Sequence, residues 1–586
     1  MPDIQLKIRT PRNKDSKKNW NSYLAALATL YLLTTIANLQ FRRVIPTNAG
    51  SNSPHDDLLG VRLTSYLLNG NWLGNWDNLI LAKPAGYSFY LYIAHFFPFQ
   101  LVVFNQIIFC VFALFFVLIA RRIFLKDFKY KEIASYLTYV ALVFNPFLFS
   151  TEMSRVYRTS AHAIFVFLYS ALLFSILNEI LEFKDNKKAL IVFRNNMIIK
   201  ISGLGLTYTG LILLRSESFW ILIASLPPLI FLYVNKYLAI NVKKNRNFFR
   251  NSAFLFLIIG MAAYFVPIFL IGQINNTKYG SSLIENYYSG NFANAIKDWQ
   301  RVENAADSRP YVIISKGQRD AVYKVSKNAA LLAPSLELEP GQGWQVHACN
   351  APMKLCDNSG GWFTWQVRDA AISTGLVNNE VSFQNFFLEI SKDIKTACEN
   401  QTLSCGPVGL GVGAKPLLEL PIDQIFNFSL ANLISSIPKN DQPTGLIATP
   451  DQYGASGEIV NLYHEVVKYR AEPMNSLSVA TESLLLRNLQ KVYFPLQTIA
   501  FYVSVVGYLL AWRHRKRRII YSSLGFGLCA IVLCAIGVAI AQVSYGWRVE
   551  GPYLLPIQPI LQFLGVIGIF TLITMEKSKS LVSSSK

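Results

Sequence analysis

Two adjacent carboxylates, Asp56 and Asp57, stand in the stretch SPHDDLLGVRLTSYLLNGNWLGNW, residues 53–76, directly after the first apolar run. Carboxylates so placed can take a proton from a substrate or start a helix. Taken alone, the pattern favours a helix start. Ser53 at an N-cap, Pro54 at the first helical position and Asp56 three residues after the cap make a capping box. Leu59, Leu63, Tyr66 and Leu67 then recur on one helical face, which is expected to rest on a membrane.

Other charges hold comparable positions. Lys83, Pro84 and Tyr87 lie in LILAKPAGYSFYLYIAHFF, Glu152, Arg155 and Arg158 in NPFLFSTEMSRVYRTS, Arg215 and Glu217 in LILLRSESFWIL, and Arg548 in YGWRVEGPY. Charges within or beside apolar runs are costly and are usually functional or paired. Each has a plain structural alternative. Lys83 can snorkel from the bilayer edge, Arg155 and Arg158 can be ordinary loop charge, Arg215 can simply pair with Glu217, and Arg548 is equally ambiguous. His55 and His95 read as amphipathic side chains near an interface.

The elements that must position these residues are membrane spans. The chain of 586 residues is 52% hydrophobic and only 15% charged, a profile of a polytopic membrane protein rather than a soluble enzyme. Ten spans of about 20 residues are expected. They lie at 23–41, 101–120, 133–150, 160–181, 197–214, 218–235, 252–272, 492–512, 519–541 and 552–574. The net charge of +20 does not imply a nucleic-acid partner. Lys and Arg cluster in short loops that alternate with loops poor in them, which is positive-inside topology with both termini cytoplasmic. The segment 86–99 is too short to cross and reads as a helix lying on the outer surface.

The expected organisation is a basic N-terminus (1–19), a transmembrane module (20–272) with its first outer loop at 42–100, a soluble outer-face domain (273–490), C-terminal spans (491–575) and a cytoplasmic tail (576–586). The polar domain is expected to be mainly helical, with helices in GGWFTWQVRDAAISTG and VSFQNFFLEISKDIKTAC. Its four cysteines form two C-x6-C pairs, Cys349 with Cys356 and Cys398 with Cys405; local pairing is favoured among three connectivities. Disulfides place the domain in an oxidising compartment. A zinc site is disfavoured by the wide spacing, with His347 the only imidazole nearby.

In their order, these motifs resemble the GT-C superfamily of integral membrane glycosyltransferases, which use polyprenyl-phosphate sugars and include protein O-mannosyltransferases and lipid A aminoarabinose transferases. The resemblance rests on the acidic pair before LLNG-W, the K-P-x-x-Y of Lys83, Pro84 and Tyr87, the span ending at Ala120, Arg121 and Arg122, the charged loop that follows, and Leu214, Arg215 and Glu217 at the end of another span. It covers residues 20 to about 235 well, the last span weakly and the polar domain not at all.

The resemblance implies that Asp56, with Asp57 as the alternative, is the base for an acceptor hydroxyl. By its match to the K-P motif it makes Lys83 the first candidate for the donor phosphate. Arg215, Arg155, Arg158 and Arg548 are further candidates from their own positions at the ends of spans and in outer loops, and Tyr87, Glu152 and Glu217 are candidate substrate contacts. A glycosyl phosphate already carries its leaving group, so one base and several cations suffice, and direct displacement inverts the anomeric centre. Glu152 is also a candidate metal ligand, but the loop lacks a D-x-D or D-x-E, so no cofactor is firmly implied. The expected partners are a lipid-linked sugar, a glycan, lipid or protein acceptor, and membrane lipids. The expected location is the cytoplasmic membrane, with the active site outside. A transporter or flippase of lipid-linked glycans is the alternative. Against it, the charges crowd the outer loops, and no pair of interrupted helices marks related halves. A passive anchor for an adhesion module would not need ten spans.

Overall fold

The computed structural model describes residues 14–44, 47–48, 54–183, 187–239, 243–303, 312–337, 357–358, 360–409, 411–412, 421–436, 457–468, 476–514, 516–545 and 553–583. Among them strand pairing is confined to two isolated bridges, Asn48 with Arg155 and Val302 with Cys405. The helices of the N-terminal part are α1 (Lys14–Val44), α2 (Asp57–Leu68), α3 (Gly86–His95), α4 (Leu101–Phe124), α5 (Lys131–Val143), α6 (Arg158–Glu182), α7 (Lys187–Leu214), α8 (Phe219–Leu238) and α9 (Lys243–Tyr279). The polar segment contributes α10 (Gly290–Gln300), α11 (Lys316–Val325), α12 (Gly360–Ser373), α13 (Glu380–Glu399), α14 (Ile422–Ser436) and α15 (Gly457–Val467). The chain ends in α16 (Ser476–Leu510), α17 (Arg517–Tyr545) and α18 (Ile557–Ser583).

Nine helices among the described residues are long and apolar enough to cross a bilayer. In hydrocarbon every backbone N–H and C=O must be satisfied within the segment, which long helices achieve. The first expected span falls within α1, which packs on α4 and α5. The other expected spans each fall on one of the nine, the last from Ile557. The protein is thus an all-α, multi-pass membrane protein. Its bundle core is aromatic: Phe109, Phe116 and Phe124 of α4 interlock with Phe167 and Phe174 of α6 and Phe563 of α18. Phe254, Leu257, Phe265 and Phe269 of α9 stay exposed, an apolar stripe that only lipid would tolerate. Gly507 of α16 meets Gly568 of α18 with no room for a Cβ, a close crossing of the kind small residues allow in membranes.

The basic loops gather at one end of the bundle. There Arg121 pairs with Glu132, and Lys516 pairs with Glu182 across the bundle. The opposite end carries α2, α3 and the loops after α5 and α7. α3 is 10 residues long, about 15 Å at 1.5 Å per residue, too short to cross a bilayer.

Two expectations for α2 are overturned. The helix begins at Asp57, and the Asp56 side chain makes no capping bond; Ser53 lies outside the described residues. The carboxylate is engaged elsewhere, so it cannot serve the helix end. The apolar face does not rest on lipid either. Leu59 and Leu63 are buried with Leu73, Leu79, Ile80, Leu81 and Trp365, because residues 72–85 fold back over the helix.

α10, α12 and α13 pack around their own core of Phe292, Trp299, Phe363, Val367, Phe383 and Phe387. Both expected helices of the polar segment are present, as α12 and α13. α14 and α15 leave that core. α14 lies along α17, where Asn432 Nδ2 donates to Ala535 O (3.2 Å) and Gln542 Oε1 (3.0 Å). α15 packs on α2 and α3. Cys398 and Cys405 are disulfide-bonded, the expected local pair; Cys349 and Cys356 lie outside the described residues. Cys110, Cys529 and Cys534, in the spans, are free thiols.

Candidate functional site

The two adjacent aspartates go to different cations. Asp56 accepts a hydrogen bond from Lys83 Nζ, which also donates to His55 O at 2.7 Å. Asp57 is fully buried. Both its oxygens accept from Arg155 Nε at 3.0 Å, and Arg155 Nη2 lies 2.9 Å from Oδ1. The side chain of Asp56 keeps 38% of its surface, that of Asp57 none. Consecutive residues at a helix start point in different directions, so only one of the two is open to a substrate.

Each partner is held by its element. Lys83 ends the fold-back over α2 and precedes α3, whose first residue, Gly86, abuts the end of α7 so closely that a Cβ would strike Leu213 O. Arg155 lies where the chain after α1 meets the loop before α6: Asn48 N donates to Ser154 O (2.9 Å) and Val156 N to Asn48 O (2.8 Å). Arg42, at the end of α1, donates to Met153 O (3.3 Å) and Ser154 Oγ (3.0 Å) in the same loop.

The ring of Tyr157 joins the cations. Arg155, Arg158 and Lys83 stand 4.7, 5.6 and 5.8 Å from its centroid, within cation–π range. Arg158 Nε donates to the Tyr157 hydroxyl at 3.3 Å. Arg215, between α7 and α8, bonds Glu217 at 2.9 Å and stands 4.2 Å from the Tyr553 ring. Its Nη2 is buried without a hydrogen-bond partner, as is Ser216 Oγ beside it. Lys83, Arg155, Arg158 and Arg215 therefore converge with Asp56, Asp57 and Glu217: four cations against three carboxylates.

The remaining expected residues divide. Tyr87 is buried against Tyr90, its hydroxyl has no hydrogen-bond partner, and its electrostatic neighbour is Asp57. Glu152 has one oxygen buried without a partner. Arg548 lies outside the described residues. Among the described residues no three His, Cys, Asp or Glu side chains gather as a metal site would require.

Electrostatics follow this arrangement. Burial opposes charge on Asp56, but Lys83, then Arg158 and Arg155, outweigh it and hold the carboxyl well below its usual range. Burial and Lys83 push His55 down to about 4, so it is neutral at pH 7. Burial pushes the Glu152 carboxyl up against the pull of Arg155. Glu285, buried and accepting from the backbone of Tyr287 (3.2 Å) and Tyr288 (3.3 Å), is pushed up to about 7, with Glu217 adding to the effect of burial.

The polar segment also reaches the site. The Trp365 ring of α12 lies 4.7 Å from that of His55, tilted by 38°, and stands 5.2 Å from the Lys83 ammonium. Arg368, one turn on, donates to Asn78 O (2.6 Å) and Ile80 O (3.5 Å), and Asn286 N donates to Leu81 O (2.7 Å). These bonds pin the strand of chain that ends in Lys83. Sequence reasoning passed over Tyr157, Tyr553, Trp365 and Glu285. RVYR, an aromatic between two arginines, was a usable signal for Tyr157; nothing local marks the other three.

No family model matches the chain, and no curated protein does. Among solved structures, the crystal structure of ArnT from Cupriavidus metallidurans in the apo state is similar at 10% identity with a TM-score of 0.30, over 96% of this chain and 79% of that one. A likeness at that level carries no inference about activity.

Proposed function

We propose that the chain is an inverting glycosyltransferase that moves a hexose or pentose from a polyprenyl monophosphate to a hydroxyl of a glycan, lipid or protein at the outer face of the cytoplasmic membrane. One observation carries the reading. Asp56, the accessible one of the two adjacent aspartates and the carboxylate held by a lysine rather than by an arginine, stands inside a group of cations at the ends of membrane spans, where a lipid phosphate must lie. The order of motifs shared with the GT-C superfamily supports it.

The donor phosphate binds Lys83, Arg158 and Arg215, each a charge-assisted donor. Lys83 is shared. As the phosphate draws its ammonium, Asp56 loses the partner that depresses its pKa and becomes a better base. The acceptor oxygen attacks the anomeric carbon from the face opposite the phosphate, and its proton passes to Asp56. The bond from that carbon to the phosphate oxygen breaks with its electron pair, releasing polyprenyl phosphate. One displacement inverts the centre. Asp57 positions Arg155, and Glu217 positions Arg215. Trp365 and Tyr157 shield the charges from water and so strengthen them.

The test supplies purified protein with polyprenyl-phosphate sugars in detergent, without a membrane gradient. A glycosylated acceptor of inverted configuration supports the reading. Binding of the lipid-linked sugar without product under any acceptor would point to a transporter or flippase.

A further inference from the structure

A second binding place lies away from the carboxylates. A cavity of about 600 Å³ opens between the end of α1, the loop after α3 and the end of α15, lined by Ile36, Leu39, Phe99 and Val103 with Arg43, His464 and Lys468. Its apolar wall comes from α1, from α4, which is long and apolar enough to cross a bilayer, and from Phe99 in the loop before α4; Ile36 and Phe99 keep 44% and 45% of their surface. Its cations sit where α1 leaves the apolar run. Neither Arg43 nor Lys468 pairs with a described carboxylate; Lys468 Nζ donates to the carbonyls of His95 (2.7 Å) and Phe97, which fixes it at the rim with one N–H remaining.

We propose that this groove binds an anionic phospholipid of the surrounding leaflet, its phosphate on Arg43 and Lys468 and one acyl chain along Ile36, Leu39 and Val103. Charge complementarity and the continuity of the wall with the lipid-facing helices select that occupant. The groove is separate from the donor site. His464 and Lys468 face it, whereas Tyr463, Val466 and Val467 of the same helix pack with Val61, Tyr87 and Leu91, so a core cluster stands between. The lipid would seat α15 on α2 and α3, the elements that carry Asp57 and follow Lys83.

The test is native mass spectrometry of the full chain with phosphatidylglycerol, phosphatidylcholine or undecaprenyl phosphate. The wild type is expected to retain phosphatidylglycerol about tenfold better than phosphatidylcholine, the scale of one charge-assisted contact. Arg43→Gln should abolish the preference. Leu39→Trp, which fills the groove without altering charge, should abolish retention; melting curves verify that both fold. Equal retention of the two phospholipids by the wild type overturns the proposal. So does an unchanged preference in both folded variants, or undecaprenyl phosphate displacing phosphatidylglycerol from the wild type.

Discussion

The Arg319 cluster of the polar segment and the Asp56–Lys83 cluster at the helix ends both take charge out of water, in opposite ways. Arg319, 1% exposed, gives Nε and Nη2 to Glu337 (2.6 and 3.0 Å) and Nη1 to Asp357 (3.1 Å) and Ile314 O (2.8 Å); Tyr323 adds its hydroxyl to Glu337 (2.8 Å). No side-chain atom of these four residues is buried without a partner. The other cluster has one cation more than its carboxylates, with Arg215 Nη2, Ser216 Oγ and Tyr87 Oη buried and unbonded. A closed network is built to hold a fold together. An open one, with spare cations and an accessible carboxylate, is built to receive an anion.

Breaking the closed network should cost most. Arg319→Ala leaves Asp357 without its cation and Glu337 with only the Tyr323 hydroxyl and Lys316 at 3.8 Å, a loss on the order of 3–5 kcal/mol. It should lower the melting temperature sharply and leave donor affinity of the folded fraction unchanged. If donor affinity fell instead, the two clusters would not be independent.

Glu285 sharpens the contrast through pH. Its folded pKa of about 7 exceeds the ordinary 4.5. The folded state therefore keeps the proton longer, and stability falls as pH rises from about 4.5 to about 7, by about 3 kcal/mol at 1.36 kcal/mol per unit. Glu285→Gln should remove that fall. Its melting temperature should exceed the wild type's at pH 8, with little difference at pH 4.5.

Smaller in free energy is the loss of one phosphate contact. Lys83→Ala or Arg215→Ala should weaken donor binding of the folded protein about ten- to hundredfold, from roughly 1.5–3 kcal/mol per charge-assisted bond, with acceptor affinity nearly unchanged; Arg215→Ala should also lower the melting temperature, because Glu217 loses its partner. Collapse of the fold in Lys83→Ala would make the open cluster structural like the closed one.

Much of this was legible in the sequence. Apolar runs long enough to span are unambiguous, so the expected spans fall on helices. The residues that meet at the site, Asp56, Lys83, Arg155, Arg158 and Arg215, were each marked by charge at the end of an apolar run. Their pairing was not legible. Asp56 and Asp57 look alike in the chain, and which one is exposed depends on the turn between the outer loop and α2. The capping-box pattern of SPHD failed because Lys83, 27 residues away, offers Asp56 a stronger partner than a backbone N–H. The apolar face of α2 was assigned to lipid because a period of 3.6 reports burial and not what does the burying. Trp365 and Glu285 come from a segment some 200 or more residues downstream of the site's first residues, so their part in it arises only from tertiary packing.

The most direct test compares Asp56→Asn with Asp57→Asn, each measured for turnover and for donor affinity. The account predicts that Asp56→Asn loses about 10² to 10⁴ in turnover while binding donor as well as the wild type or better, since Lys83 is released to the phosphate. Asp57→Asn should instead lower stability, because Arg155 is left without its buried partner. Wild-type turnover in a folded Asp56→Asn would contradict the account.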